Sequence, residues 1–424
     1  MKIRITTFIV ALCVMLSASL LLTSCNIDKP PLPQNDVSST NLSKDYSTPG
    51  PIAAGTQLSP DSQTALENFS MELFKQSYQG GNLFMSPVSV LYALAMVGNG
   101  ASGETLAQME QVFGADIEVI SASLRDYMGI VASKDNGELS IANSLWIKEG
   151  FPVSPDFLAK NSSYFGAEVF STPMNNVTVR DVNLWCSNNT NGMIPKILDE
   201  DSIDSRMTRL LLVNALRFEA LWRSPYNKYS VSQGTFTDHH GQSHTVDMMY
   251  SSEDTYIETE NATGFIKHYK GNYAFAAILP NNDVFLKEYV NSLTGQELHR
   301  LLNDCVSHTQ VNAAMPKFSS QSSLELPEVL MQMGMIDAFF ADKADFSGIN
   351  SDNLLYIKNV IHKTKIEVSE SGTKAAAVTA VVLDGKSEPS EYKTVTLDRP
   401  FLYMIIDCTT MKPLFVGAYA SPAE

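Results

Sequence analysis

Cysteine and basic residues are both scarce in this sequence. Five cysteines occur among 424 residues and no two of them have CxxC spacing, which excludes a disulfide-built scaffold and argues against structural zinc. Lysine and arginine total 30 against 46 acidic residues, and no basic cluster stands out. A surface that binds phosphate backbones needs an excess of basic residues. We therefore expect no metal ion, no cofactor and no nucleic-acid partner.

Motifs of hydrolase chemistry are lacking as well. The sequence has neither the GxSxG nucleophile elbow nor the HExxH zinc motif, and nothing places a nucleophile beside a base. Cys186, Cys305 and Cys408 are more typical of packed thiols than of catalytic ones. A surface hydrolase therefore has no motif in its favour.

Long apolar runs are confined to the N terminus. Lys2 and Arg4 precede an apolar run over residues 5–22, and this run ends in Leu-Thr-Ser-Cys at Cys25. The pattern is typical of a lipoprotein signal peptide, which is cleaved before a cysteine that becomes lipidated. An ordinary signal peptide, or a signal anchor with an incidental cysteine, is the alternative. We thus expect residues 1–24 to be removed and Cys25 to anchor the protein in the cell envelope, facing the periplasm or the exterior.

Residues 25–60 differ in composition from the rest of the chain. They are rich in proline, serine, threonine and asparagine, which predicts a flexible tether after the lipidated cysteine. From residue 61 to residue 424 there is no second linker and no internal repeat, which predicts a single domain. Removal of residues 1–24 takes away two basic residues and no acid, so the mature chain is more acidic than the formal charge of −16.

Helical and strand patterns are mixed in this body. Helical spacing begins near Asp61, with Ser59 or Asp61 as the N-cap, and a buried helix runs from residue 88 to 97 and ends at Gly98. Five segments have strand character: 140–147, 210–218, 273–279, 309–318 and 354–368. Because these segments do not alternate regularly with helices, they predict an α+β fold with large, mostly antiparallel sheets.

Two segments imitate binding motifs. Residues 98–103 match GxGxxG, but the dinucleotide motif requires a preceding strand, and the preceding segment reads as a helix. A turn between two helices is therefore favoured over a nucleotide site. A second segment carries clustered histidines and aspartates, and its composition favours an exposed hairpin turn over a metal site: Asp238, His239, His240, His244 and Asp247.

An unusual segment comes after the last strand-like run. Residues 370–383 are mostly small and β-branched, and residues 384–390 are polar and turn-like. A central strand followed by a loop would have this composition. The same composition would also suit a segment that is a loop in one state and a strand in another.

Six motifs, in order along the chain, resemble those of the serpin family. The similarity runs from about Asp61 to Pro422. The motifs are NLFMSPVS at 82–89, NALRFEALW at 214–222, MPKF at 315–318, ESGTKAAAVT at 370–379, DRPFL at 398–402 and PLFVG at 413–417. The resemblance implies the serpin fold, with three β-sheets, about eight to nine helices and an exposed reactive-centre loop. It also implies a monomer.

The resemblance further implies a suicide-substrate inhibitor rather than an enzyme. In this family a serine protease attacks the loop and forms an acyl-enzyme, and the cut loop then inserts into the main sheet and traps the protease covalently. Gly372 lies fourteen residues before the bait residue, which falls on Lys386, so the reactive bond is expected at Lys386–Ser387. A register shift of one would give Gly385 or Ser387. A lysine predicts a trypsin-like target.

The resemblance also assigns supporting roles. The hinge that inserts comprises Glu370, Gly372, Thr373, Ala375, Ala376, Ala377 and Thr379. Ser86, Ser89, Asn214 and His362 correspond to a polar cluster beneath the point where the sheet opens, and Trp222 lies where the loop first enters. Lys374 departs from the family, which more often has an acid there. The alternative function is that of a non-inhibitory serpin acting as a surface binding protein, although bulky or proline residues typical of such members are missing from this hinge.

Overall fold

The described part of the chain contains nine α-helices and seventeen strands. This computed structural model describes residues 37–50, 53, 56–135, 138–352, 355–358, 360–373 and 392–422. The helices are α1 (Pro60–Ser77), α2 (Pro87–Gly98), α3 (Gly103–Phe113), α4 (Ile117–Ala132), α5 (Pro155–Phe165), α6 (Asn176–Asn189), α7 (Leu286–Ser292), α8 (Gly295–Asn303) and α9 (Pro327–Met333). The strands are β1 (Thr40–Asn41), β2 (Leu83–Met85), β3 (Leu139–Lys148), β4 (Glu168–Thr172), β5 (Leu210–Phe218), β6 (Ala220–Leu221), β7 (Val231–Thr237), β8 (Ser243–Glu258), β9 (Ala262–His268), β10 (Tyr273–Pro280), β11 (Val306–Pro316), β12 (Phe318–Glu325), β13 (Ile361–Val368), β14 (Gly372–Thr373), β15 (Tyr392–Thr396), β16 (Phe401–Asp407) and β17 (Lys412–Tyr419).

These strands form three sheets, as the resemblance implies. A four-stranded sheet has the order β1-β4-β3-β5, and a second one has the order β12-β13-β14-β6. The largest sheet has the order β15-β11-β8-β9-β10-β16-β17-β2, with β7 paired to β8. Only the β3–β4 and β11–β15 pairs in the described chain are parallel. The expected α+β class with mostly antiparallel sheets is therefore confirmed.

The buried helices begin where the sequence places capping residues. Ser59 accepts a hydrogen bond from the backbone N–H of Ser62 at the start of α1, so Ser59 is the N-cap rather than Asp61. Ser86 caps α2 in the same way, and almost every residue of α2 is buried. The core is completed by β10, β16 and β17, whose residues are all buried. A sheet with helices on it hides these apolar strands from water.

Two of the strand predictions need correction. The expected strand over 354–368 begins only at Ile361. In residues 355–358, exposure alternates as in a strand, but this segment packs irregularly on the core, and the N–H of Ile357 bonds to the carbonyl of Ala338. The expected strand over 309–318 is two strands in different sheets, because the chain passes from β11 to β12 at Lys317. Alternating burial reports packing and does not by itself identify the pairing partner.

The N-terminal segment, residues 37–46, packs against the body. β1 pairs antiparallel with β4, and the N–H of Leu42 bonds to Val169. The carboxylate of Asp181, which is fully buried, accepts hydrogen bonds from Ser38 and from both the N–H and the hydroxyl of Ser39. The expectation that residues 25–60 form one flexible tether is therefore wrong for this segment, because its polar side chains are anchored by a buried carboxylate.

The two motif-like segments have structural roles. Residues 98–103 run from the last residue of α2 to the first residue of α3, which confirms the predicted helix-to-helix turn. A Cβ on Gly100 would lie 2.1 Å from the Ile349 side chain, so close packing accounts for this glycine. Residues 238–242 connect β7 to β8, as the hairpin interpretation predicts, and His244 is bonded to Asp238 at 2.7 Å. Among the residues described, no group of three or more acidic, histidine or cysteine side chains could hold a metal ion.

Candidate functional site

The site begins at the turn between β13 and β14. We call residues 369–371 the hinge turn. After β13 the chain reverses here and returns as β14, which lies between β13 and β6. Thr373 pairs with Val368 on one side and with Ala220 on the other, and Gly372 pairs with Leu221. Gly372 and Thr373 of the expected hinge are thus strand residues of this sheet.

Glycine is required at position 372 by this pairing. Its φ angle is 154°, and a Cβ there would lie 2.1 Å from the carbonyl oxygen of Ala220 and 2.8 Å from the Cα of Leu221. Real Cβ atoms do not approach backbone so closely, and φ in this range is accessible mainly to glycine. Gly372 therefore allows β14 to lie against β6.

Thr373 is buried at the same point. It is 2% exposed, and its hydroxyl lies 2.6 Å from the hydroxyl of Tyr269. Burial raises the pKa of Tyr269 well above its usual value, so this phenol stays neutral and serves as a hydrogen-bonding partner. The Tyr269 ring stacks on Trp222 with 4.3 Å between ring centroids. The aromatic pair of Tyr269 and Trp222 thus supports the Thr373 side chain.

Trp222 and Tyr226 hold the hinge turn by hydrogen bonds. The Trp222 indole N–H donates to the carbonyl of Ser369 at 2.8 Å, and its backbone N–H donates to Ser371 at 3.0 Å. The backbone N–H of Tyr226 donates to Glu370 at 2.9 Å. Three donors from the segment after β6 therefore fix three successive carbonyls of the turn.

An ion pair lies on the outer side of the hinge turn. Lys317, in the connection between β11 and β12, is 3.1 Å from the Glu370 carboxylate. Burial disfavours the charged form of Glu370, but a bond to its own backbone N–H and the Lys317 ammonium outweigh this and lower its pKa. Both side chains are partly exposed, so the pair contributes little stability.

The expected polar cluster lies around the start of α2. Ser86 donates its backbone N–H to His362 Nε2 at 2.9 Å and its hydroxyl to the carbonyl of Leu414 at 2.6 Å. The Ser89 hydroxyl donates to the side-chain oxygen of Asn214. Burial lowers the pKa of His362 to about 4, so the ring is neutral at pH 7 and Nε2 can accept. α2, β5, β13 and β17 are thus connected through these groups.

A gap separates β5 and β13, which belong to different four-stranded sheets, next to this cluster. Within the described residues, no ladder joins these two strands, and β14 pairs with β13 and β6 above the gap. A cavity of about 220 Å³ lies there, lined by residues 211–214 of β5, by one face of α2 and by His362. Its walls are mostly apolar. A strand that extended β14 would run into this gap.

The structure brings the expected residues together in two groups. The first group lies at the hinge turn and comprises Glu370, Gly372, Thr373 and Trp222. The second group is the polar cluster at the start of α2 and comprises Ser86, Ser89, Asn214 and His362. Seven expected site residues lie outside the described residues: Cys25, Ala375, Ala376, Ala377, Thr379, Lys386 and Ser387.

Sequence reasoning missed several partners. Tyr269 and Tyr226 carry no local signal, because their roles arise from contacts with residues far away in the chain. Asn143 was also missed, although its amide oxygen accepts a 2.7 Å hydrogen bond from Asn214 directly across the β3–β5 ladder. An asparagine within a buried strand was the available signal.

Comparisons with known proteins agree with this geometry. The sequence profile of the serpin family, described as serine protease inhibitor, matches residues 64–422. The leukocyte elastase inhibitor of Xenopus laevis is 31% identical over 378 residues, which cover 85% of this chain and 99% of the relative. The glia-derived nexin of Rattus norvegicus is 29% identical over 374 residues, covering 85% of this chain and 92% of the relative.

Solved structures give the same result. The native-state structure of the thermophilic serpin tengpin is 41% identical, with a TM-score of 0.83, and the match covers 90% of this chain and 99% of that one. The latent-state structure of tengpin is 40% identical, with a lower TM-score of 0.75, covering 86% and 99%. With the three sheets, the hinge turn and the family profile in agreement, this chain belongs to the serpin family of serine protease inhibitors.

Proposed function

We propose that this protein is a suicide-substrate inhibitor of trypsin-like serine proteases, with its reactive bond at Lys386–Ser387. One observation carries the proposal: the two-residue strand β14 pairs with β13 and β6, and a gap between β5 and β13 lies where this strand would continue. Cleavage after residue 386 would free residues 374–386 to continue β14 into the gap between β5 and β13. The small side chains of Ala375 and Ala377 suit this narrow space. The free energy for moving the protease would come from new strand pairing and burial.

The test is a mixture of the protein with trypsin. We expect a covalent complex that survives boiling in detergent, together with a small C-terminal fragment whose mass locates the cut. Lys386→Ala should abolish complex formation with trypsin, whereas Lys343→Ala, which removes an exposed lysine elsewhere, should not. Cleavage of the wild type without any complex would refute the proposal, and a fragment mass that indicates Gly385 or Ser387 would shift the reactive bond.

A second candidate function is binding without inhibition. Thyroxine-binding globulin in complex with thyroxine is among the similar solved structures, at 25% identity and a TM-score of 0.73. The two functions differ in the outcome of loop cleavage, because only insertion adds a strand to the sheet. A large rise in the melting temperature after cleavage of the loop supports the inhibitor, and an unchanged melting temperature supports the binding protein.

We also propose that Cys25 is lipidated and that the protein is anchored in the cell envelope. The signal-peptide pattern that ends at Cys25 supports this proposal. Separately, no helix in the described part of the chain is long and apolar enough to cross a membrane. Cys25→Ser should abolish incorporation of a labelled fatty acid in a bacterial host. Cys13→Ser, a cysteine inside the apolar run, is the matched control and should retain the label. Labelling of the Cys25→Ser protein would refute the proposal.

A further inference from the structure

A buried lysine lies behind the residues that hold the hinge turn. Lys267 is on β9 of the largest sheet, next to the apolar residues Phe265 and Ile266. It is only 1% exposed. A buried ammonium is costly unless it is paired, and its Nζ lies 2.7 Å from the carboxylate of Glu253 on β8. Neither Lys267 nor Glu253 is among the site residues or supporting residues expected from the sequence.

The ammonium also contacts two aromatic rings. Nζ of Lys267 lies 4.3 Å from the centroid of the Tyr226 ring and 5.5 Å from that of the Trp222 ring. Both distances are within the range of cation–π attraction, which is strongest where water is excluded. Lys267 thus connects the largest sheet to the two residues whose N–H groups bind the hinge turn.

We propose that Lys267 is a positioning residue for loop insertion. The cation holds Tyr226 and Trp222, and these hold the carbonyls of residues 369–371, so that β14 starts in register between β13 and β6. A buried ion pair is weak ground for a role in stability, since apolar replacement is often neutral or stabilising. A fixed hinge turn instead favours insertion over hydrolysis of the acyl-enzyme, because each residue added to β14 pairs from an anchored end. This inference rests on the proposed inhibitory function.

The first test is amide hydrogen exchange of the intact protein, which does not depend on inhibition. Lys267→Met keeps an unbranched side chain but removes the charge, and exchange of the Trp222 and Tyr226 amides should become roughly tenfold faster. Tyr226→Leu leaves the ion pair intact and removes a ring, so it should give the same acceleration. Tyr226→Phe retains the ring and should keep the wild-type exchange rate. Lys343→Met is the matched control, since the Lys343 ammonium lies 5.6 Å from the centroid of a different ring, that of Phe340.

The second test measures how many inhibitor molecules are consumed for each trypsin inactivated. We expect this number to rise at least about threefold for Lys267→Met and Tyr226→Leu, with the rate of loop cleavage unchanged. The Lys343→Met protein should match the wild type. Unchanged exchange and an unchanged ratio in both variants would overturn the role of Lys267. Failure of the wild type to form any complex would overturn the proposed function instead, while the exchange experiment would still decide whether Lys267 fixes the turn.

Discussion

Replacement of Thr373 by arginine tests whether inhibition depends on insertion of the hinge. The Thr373 side chain is 2% exposed and its hydroxyl bonds to Tyr269 at 2.6 Å. An arginine cannot occupy this position, because an unpaired buried charge costs several kcal/mol and the loss of a partner for Tyr269 costs about 1–3 kcal/mol more. The chain can avoid this cost only by withdrawing β14 from the sheet. Loop insertion would then lack its anchored first residues.

The consequence is measurable as a partition between complex and cleaved product. We expect Thr373→Arg to be cut by trypsin at the wild-type rate, with the ratio of complex to cleaved product lowered at least about tenfold, which corresponds to 1.4 kcal/mol. Thr64→Arg, on the exposed face of α1, controls for the added charge and should behave as the wild type. Undiminished complex formation by Thr373→Arg would show that β14 is not where insertion begins.

Three further predictions concern pH, backbone space and the N-terminal segment. His362 has a folded pKa of about 4, below its usual 6.5, so the unfolded chain binds more protons between these values. Stability should therefore decrease as the pH is lowered from about 6.5 to about 4, by up to about 1.4 kcal/mol per pH unit, and denaturant unfolding of wild type and His362→Gln between pH 4 and 7 checks this. Gly372→Ala should reduce complex formation, since its Cβ would lie 2.1 Å from a backbone oxygen of β6, whereas Gly150→Ala has a positive φ but meets nothing within 4 Å and should not. Asp181→Ala should release the N-terminal segment and make it at least about tenfold more sensitive to limited proteolysis, because the segment loses its buried hydrogen-bond acceptor. Asp199→Ala, which removes an exposed carboxylate, is the control and should leave this sensitivity unchanged.

Local patterns predicted the fold where local physics decides it. The capping serine before α1, the buried helix over residues 88–97 and the strand over residues 210–218 follow from side-chain periodicity and capping chemistry. The segment at 354–368 shows the limit. Its apolar alternation is real, but among the described residues of this segment only those from Ile361 onward have a pairing partner, because pairing is decided by strands distant in sequence.

The site was predictable to a similar extent. The family resemblance pointed to Gly372 and Trp222, which lie within two of the six motifs, and to His362 by its position between them. It did not identify Lys267 or Tyr226, whose importance lies in an approach of 4.3 Å between chain segments that are far apart in sequence. The N-terminal segment was misjudged for a related reason. Serine-rich composition suggests solvation, and nothing local reveals that a buried carboxylate will bind Ser38 and Ser39.

The position of β17 in the largest sheet has a consequence for how the protein is made. This strand, Lys412–Tyr419, lies between β16 and β2, so Leu83–Met85 near the start of the body receives its strand partner from the end of the chain. A ribosome that has reached residue 400 has therefore not yet supplied β16 and β17, two wholly buried strands. The nascent body must remain incomplete until these two strands have been made, and a chain that stops before residue 401 would leave β10 and β2 as exposed apolar edges prone to aggregation.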